Sequence, residues 1–335
     1  MNVRLKNLNL LLALVAGLLL LTSGCAHRTF HQQSLTNARF DFALIGDVPY
    51  NEDDATNAYP KMIREINRSR LAFVVHDGDI KSGASPCSNE AFTNSFKQFQ
   101  TFRHPIVYVF GDNEWTDCAR GKTNGFDPVE RLDKLRQMFT SGNQSLGHPA
   151  MPLTRQSEDA HFPRFRENVR WVYGHVLFAG LNVPGDANNF DQREYAERNK
   201  ANLAWVKEAF VQARRDNMRG LMLIMQANPR FDLNVTNKVR AGFNDLLNLL
   251  EQETVAFQKP VVLVHGDTHY FRIDKPLMGS KSKRRIENFT RVETFGNPDV
   301  HWLRASVDWR DPNVFSFRQE IVAENLVKHG SPFRK

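Results

Sequence analysis

Four stretches of this 335-residue chain end an apolar run in a Gly-Asp step. They are Phe42-Ala-Leu-Ile-Gly46-Asp47, Phe73-Val-Val-His-Asp-Gly78-Asp79, Val107-Tyr-Val-Phe-Gly111-Asp112-Asn113-Glu114 and Val261-Val-Leu-Val-His265-Gly-Asp-Thr-His269. One Gly-Asp after a strand is an ordinary turn. Four of them, each after a run suited to a strand buried on both faces, place carboxylates at strand carboxyl ends, where open α/β sheets bind ligands. Carboxylates gathered in one place repel, so they take up protons or a cation. With His265 and His269 in the last stretch, these residue types suit a metal centre.

The elements that must hold these ends follow from the periodicity. Strands are expected over Phe40–Ile45, Leu71–Val75 and Ile106–Phe110, alternating with helices over Ala55–Arg68 and Asn89–Phe102. Such alternation predicts βαβ units and a largely parallel sheet. Residues 115–127 read as a loop, Pro128–Phe139 as a helix and 141–168 as irregular. Two alternating strands, Val169–Tyr173 and Val176–Leu181, flank Gly174-His175. A polar loop over Asn182–Asn189, a helix over Gln192–Arg215, a strand over Leu221–Met225 and a helix over Val239–Leu250 come next. Segments near Phe271, Phe289–Phe295, His301–Val307 and Val314–Phe317 read as an antiparallel finish.

The N-terminus reads as an address. Arg4 and Lys6 precede an apolar run from Leu8 to Leu21 and then Thr22-Ser-Gly24-Cys25. That is the pattern of an export signal over residues 1–24, and its end resembles a bacterial lipobox with Cys25 as the lipidated residue. The expectation is a periplasmic or cell-envelope lipoprotein held to a membrane through Cys25, with 25–38 as tether, a single domain over 39–320 and a tail over 321–335. Simple secretion and a single-pass anchor are the alternatives. Of three cysteines, Cys87 and Cys118 remain, and an oxidising compartment makes them a natural disulfide joining two of the strand-end loops. The formal charge of +7 falls to +5 once Arg4 and Lys6 are removed. The dense basic cluster Lys281, Lys283, Arg284 and Arg285 has no interleaved aromatics, so a solvated loop is expected and no nucleic-acid partner.

The order Gly46-Asp47, Gly78-Asp79, Gly111-Asp112-Asn113-Glu114 and Gly266-Asp267-Thr268-His269 resembles the motif series of the calcineurin-like metallophosphoesterases. The resemblance covers about residues 40–310, and its local wording is similar to a bacterial and fungal branch without a defined substrate. It implies an α/β fold of the calcineurin-like type, a four-layer α/β/β/α sandwich with mixed sheets. It also implies two divalent metal ions, with Asp79 shared, Asp47 and His269 at one, and Asp112, Asp267 and Gln226 at the other. The departures from the family pattern are Pro49, Asp112, Asn113, Gln226 and Asp267: Asp112 stands at an asparagine position and the other four at histidine positions, with Asp112 and Asp267 bringing carboxylates. An oxygen-rich set of this kind suits Mn²⁺ or Mg²⁺, or Ca²⁺, better than zinc or iron.

The activity implied is hydrolysis of a small phosphate ester, monoester or diester, by a metal-dependent hydrolase. Asn113 can donate a hydrogen bond to a phosphoryl oxygen but cannot serve as general acid. His265 and His76 are the candidate proton donors, or else histidines that hydrogen-bond their own loops. Glu114 is expected to support loops, and Tyr50 and Trp115 either flank substrate or pack. The alternative reading is a non-catalytic metal- or phosphate-binding protein on the same fold. No Gly-x-Ser-x-Gly elbow supports a serine hydrolase.

Overall fold

A computed structural model describes residues 39–326. The expected export signal, the lipidation position Cys25 and most of the expected tail lie outside these residues. The chain folds into two mixed sheets placed face to face, each covered by helices. The first holds β1 (Arg39–Ile45), β2 (Val74–His76), β3 (Ile106–Tyr108), β11 (Trp302–Asp308) and β12 (Phe315–Glu320), in the order β12-β11-β1-β2-β3. The second holds β4 (Thr154–Arg155), β5 (Val169–Tyr173), β6 (Val176–Gly180), β7 (Gly220–Ile224), β8 (Val261–His265), β9 (Arg272–Asp274) and β10 (Phe289–Glu293), in the order β4-β5-β6-β7-β8-β10-β9.

Three apolar clusters define the layers, and the two-residue period of the strands sorts side chains between them. In β1, Phe42 and Leu44 enter the core between the sheets, where they meet Trp171, Phe178, Met222 and Val264. Ala43 and Ile45 face the other way, onto α1 (Tyr59–Arg68), α2 (Asn89–Phe99) and α3 (Pro128–Phe139). The second sheet does the same, turning Leu221, Leu223 and Leu263 toward α4 (Tyr195–Arg215) and α5 (Asn244–Phe257). The expected α/β/β/α sandwich is therefore the observed one.

Parallel runs β1-β2-β3 and β6-β7-β8-β10 all point their carboxyl ends the same way, toward the loops that follow Ile45, His76, Tyr108, Ile224 and His265. Two expectations need correction. Phe289–Glu293 pairs parallel to β8, so only β9, β11 and β12 supply antiparallel neighbours in the last part of the chain. The helix expected over Val239–Leu250 runs instead over Asn244–Phe257, after a short turn at Lys238–Ala241. A Cβ at Gly242 would lie 1.9 Å from the Ala187 carbonyl oxygen, so another chain segment sits against this point and the turn breaks there. The first residues of the expected tail are built into the fold: Val322 is buried, and Asn325 donates to the carbonyls of Ala58 and Val300.

Candidate metal centre at the strand ends

The glycines of the Gly-Asp steps are required by crowding. A Cβ at Gly111 would lie 2.1 Å from Asp79 Oδ1, and one at Gly266 would lie 2.1 Å from Asp47 Oδ2. The aspartates pass into loops through the left-handed region, with φ of 52° at Asp47, 60° at Asp79 and 78° at Asp267, and His269 follows at 57°. Residues other than glycine adopt such angles where the surroundings hold them, and aspartate tolerates them better than most.

The side chains converge. Asp47 accepts the Asp267 amide at 3.2 Å on both oxygens. Asp79 Oδ1 accepts the Asn113 amide at 3.1 Å, and its Oδ2 accepts Asn113 Nδ2 at 2.7 Å. Gln226 Nε2 donates to Asp79 Oδ2 at 3.3 Å and to Asp112 Oδ1 at 3.1 Å. Asp267 Oδ2 accepts the Asn228 amide at 2.9 Å. The other oxygens, Asp112 Oδ2 and Asp267 Oδ1, face the Cα of Gly185: a Cβ there would meet them at 2.2 and 3.1 Å. His269 Nδ1 donates to the Asn297 carbonyl at 2.5 Å, which leaves the Nε2 lone pair turned inward, 3.5 Å from Asp47 Oδ1.

Tyr50 is the residue that sequence reasoning undervalued. Its hydroxyl sits between the two motif aspartates, donating to Asp79 Oδ2 at 2.7 Å, with Asp47 Oδ1 at 3.4 Å. Asn113 Nδ2 donates to it at 2.8 Å, and His269 Nε2 stands 3.2 Å away. Its place in Gly46-Asp-Val-Pro-Tyr50 was the available signal, because a loop leaving a buried aspartate carries the next few residues across the same site.

Burial and mutual repulsion hold these acids toward their neutral forms. Asp47 is raised well above the usual carboxylate range by burial, then by Asp77 and Asp267. Asp79 is raised by burial, then by Asp112 and Glu114. Asp112 and Asp267 are each pushed up to about 7, again by burial first. A divalent cation relieves such repulsion, so the donor set fits one in its oxygens and in the tautomer of His269. Gln226 fits differently from the expectation. The Gly185 amide donates to its Oε1 at 2.8 Å, which fixes the flip and presents Nε2, a donor, to the carboxylates.

Both candidate proton donors lie away from the cleft. His265 is fully buried on the same face of β8 as Leu263, with Nδ1 2.8 Å from the Gly266 carbonyl and Nε2 3.9 Å from Glu293. Burial lowers its pKa to about 3, so it stays neutral and has no path to a leaving group. His76 is equally buried: Nε2 donates to the Val48 carbonyl at 3.1 Å and Nδ1 accepts the Gly78 amide at 3.3 Å. It ties the first strand-end loop to the second. Glu114 Oε1 accepts the Tyr108 hydroxyl and the amides of Gly111 and Asp79, which is the loop support expected of it. Trp115 is buried beside Arg198 and lines no cleft.

Three further features frame the site. Cys87 and Cys118 form the expected disulfide, with Cα atoms 5.7 Å apart. Asp117 and Asp186, which sequence reasoning passed over, bring carboxylate oxygens within 4.8 Å of one from Asp112, and Arg120 bonds both. The run Asp186–Asn189 is left-handed at four consecutive residues, with φ from 47° to 59°. The buried Arg198 holds it through Asn188 and the Asn182 carbonyl.

No family model and no curated protein matches the sequence. Among solved structures, the chain is similar to PhoD, with a TM-score of 0.54 and 14% identity over 81% of this chain. It spans 64% of that structure's length. It is also similar to GAP50, described as the anchor in the inner membrane complex of Plasmodium, with TM-score 0.49, 11% identity and coverage of 85% of this chain and 89% of that one. A third is a 5'-nucleotidase from Candida albicans, with TM-score 0.39, 11% identity and coverage of 83% and 50%. The layered architecture, the strand-end loops and the likeness to PhoD give this chain the fold of the calcineurin-like metallophosphoesterases.

Proposed function

We propose that this chain is a metal-dependent phosphoric ester hydrolase acting on small phosphate esters, exported and held at the cell envelope through Cys25. The observation that carries the hydrolytic reading is the convergence of Asp47, Asp79, Asp112 and Asp267 with the inward lone pair of His269. Asp47, Asp79 and His269 would hold one cation, and Asp79, Asp112 and Asp267 the other, with Mn²⁺ or Mg²⁺ suited to so many oxygens. Bound there, such ions supply a hydroxide from water at neutral pH and neutralise charge on phosphoryl oxygens. Asn113 Nδ2 donates to whatever oxygen replaces the Tyr50 hydroxyl beside it. Burial and the neighbouring acids push the Tyr50 phenol further above its ordinary range, so it remains a neutral donor. With His265 and His76 sealed beneath the loops, esters with good leaving groups, such as aryl phosphates, are the expected substrates.

A second reading, a binding protein without turnover, has its own observation. Tyr50 Oη and Gln226 Nε2 already satisfy Asp79 and Asp112 with donors of the chain itself. Hydrolysis of aryl phosphate mono- and diesters with Mn²⁺ present, compared between wild type and Asp79→Asn, decides the matter. Turnover that falls by on the order of 10² or more in the variant supports the hydrolase. Equal rates remove this site from the chemistry. Absent turnover with tight Mn²⁺ binding by calorimetry leaves the binding reading.

A further inference from the structure

The molecule carries its charges at opposite ends. The acids of the candidate site crowd the carboxyl ends of the parallel strands, while the amino ends carry arginines. Arg39 opens β1, Arg68 and Arg70 precede β2, Arg103 precedes β3, Arg219 precedes β7, and Arg310 follows β11. All six are exposed, and no ion pair to a carboxylate is found for any of them among the described residues. Of the acids at this end, Asp216 pairs with Arg215, while Asp308, Asp311 and Glu287 form no ion pair among the described residues and offset part, not all, of the six positive charges.

Trp309, which follows β11, lies at this end. Its ring stands 5.1 Å from that of His175 in the β5–β6 turn. The guanidinium groups of Arg219 and Arg310 lie 5.9 and 5.3 Å from its centroid. The two sheets meet here, since the turn residue Gly174 packs on the Phe40 ring and the Arg219 amide donates to the His175 carbonyl. The indole N–H is turned inward, buried, and finds no acceptor among the described residues. A half-exposed aromatic ring flanked by the exposed Arg219 and Arg310 suits the headgroup layer of a bilayer with an anionic surface.

We propose that this end of the domain docks on an anionic lipid surface, with Trp309 at headgroup level and the arginines on lipid phosphates, so that the candidate site faces away from the membrane. Arg39, the first described residue, stands at this same face, opposite Asp308 in the β1–β11 register and next to Trp309. Thirteen residues, 26–38, separate it from Cys25, a reach of at most about 50 Å. β1 alone spans roughly 20 Å from this face toward Asp47. That distance exceeds the Debye length of about 8 Å at physiological salt, so the site's acids do not cancel the attraction at the base. The surface is independent of whether the site hydrolyses anything.

Four of the five tryptophans, Trp115, Trp171, Trp205 and Trp302, are buried, so quenching by a label in the lipid headgroup region reports Trp309. The mature chain from residue 25, carrying Cys25→Ser so that no acyl chain holds it, is mixed with phosphatidylcholine vesicles with and without phosphatidylglycerol, each carrying a headgroup nitroxide. Quenching is expected on the phosphatidylglycerol vesicles alone, weakening as salt rises and absent in Trp309→Phe. Each arginine contributes about fivefold to partitioning, so Arg219→Glu with Arg310→Glu lowers the quenching contact at least tenfold. Arg68→Glu with Arg70→Glu, both exposed, repeats the test away from the Trp309 packing. Circular dichroism confirms that the variants fold. Equal quenching on both vesicle types, quenching that survives Trp309→Phe, or no effect of either charge reversal overturns the proposal.

Discussion

Tyr50 shows how one hydroxyl decides what the acids around it experience. It supplies Asp79 Oδ2 with a short hydrogen bond and lies among Asp47, Asn113 and His269. Its removal takes a donor from a buried carboxylate without opening a large hole. Tyr50→Phe is therefore expected to bind Mn²⁺ more tightly than wild type, because a cation no longer displaces a bonded phenol. Calorimetric titration checks this, and unchanged or weaker binding would place Tyr50 among the groups that assist the cation. The aspartates themselves were legible in the sequence, because burial of an apolar run and the Gly-Asp step that follows it are local properties. The direction in which Gln226 turns its amide was not, since it depends on the Gly185 amide 41 residues earlier in the chain. His265 misled for a related reason: adjacency to a motif says nothing about which face of β8 carries the ring.

At the level of elements, the loops that carry the acids are fixed by cross-links of two kinds. The Cys87–Cys118 bond closes a 31-residue separation and sits under the Asn113 carbonyl, which both sulfurs approach. In the chain-entropy account, a closure of that length stabilises the fold by about 3–4 kcal/mol. Cys87→Ala with Cys118→Ala is expected to lose about that much in urea denaturation, and a loss under 1 kcal/mol would mean that the loops hold without it. Arg198 does the corresponding work on the other side of the site, spanning Glu194, Asn188 and the Asn182 carbonyl from within α4. Replacing it with Met strands two buried carbonyls and takes one partner from the half-buried Glu194 carboxylate, so Arg198→Met is expected to cost roughly 2–4 kcal/mol by the same measurement. The strands and helices that position these links were readable from periodicity. The parallel placement of Phe289–Glu293 was not, because a strand's direction is set by its neighbour in the sheet and leaves no mark on its own alternation. Neither was the left-handed run Asp186–Asn189, held by a guanidinium from the following helix.

For the whole molecule, the acid-crowded end makes stability a function of pH. Asp112 and Asp267 are raised to about 7 and Asp117 to about 6, against about 3.8 for an unburied aspartate. A carboxyl whose folded value lies above its unfolded value binds more protons in the folded state, so stability falls as pH rises between the two values. Without metal, thermal stability is therefore expected to be greater near pH 5 than near pH 8, with the loss concentrated between about pH 4 and pH 7. Divalent cations bind the ionised carboxylates and compete with those same protons, which reverses the balance. Mn²⁺ should raise the melting temperature strongly at pH 8 and little at pH 5. Scanning calorimetry of the chelator-treated protein at both values, with and without Mn²⁺, tests this without any substrate. A metal-free melting temperature that rises toward pH 8 would mean that the carboxylates are ionised and satisfied by the chain's own donors. Tyr50, Asn113 and Gln226 would then do the neutralising on their own, and the binding reading of the site would gain at the expense of the hydrolytic one.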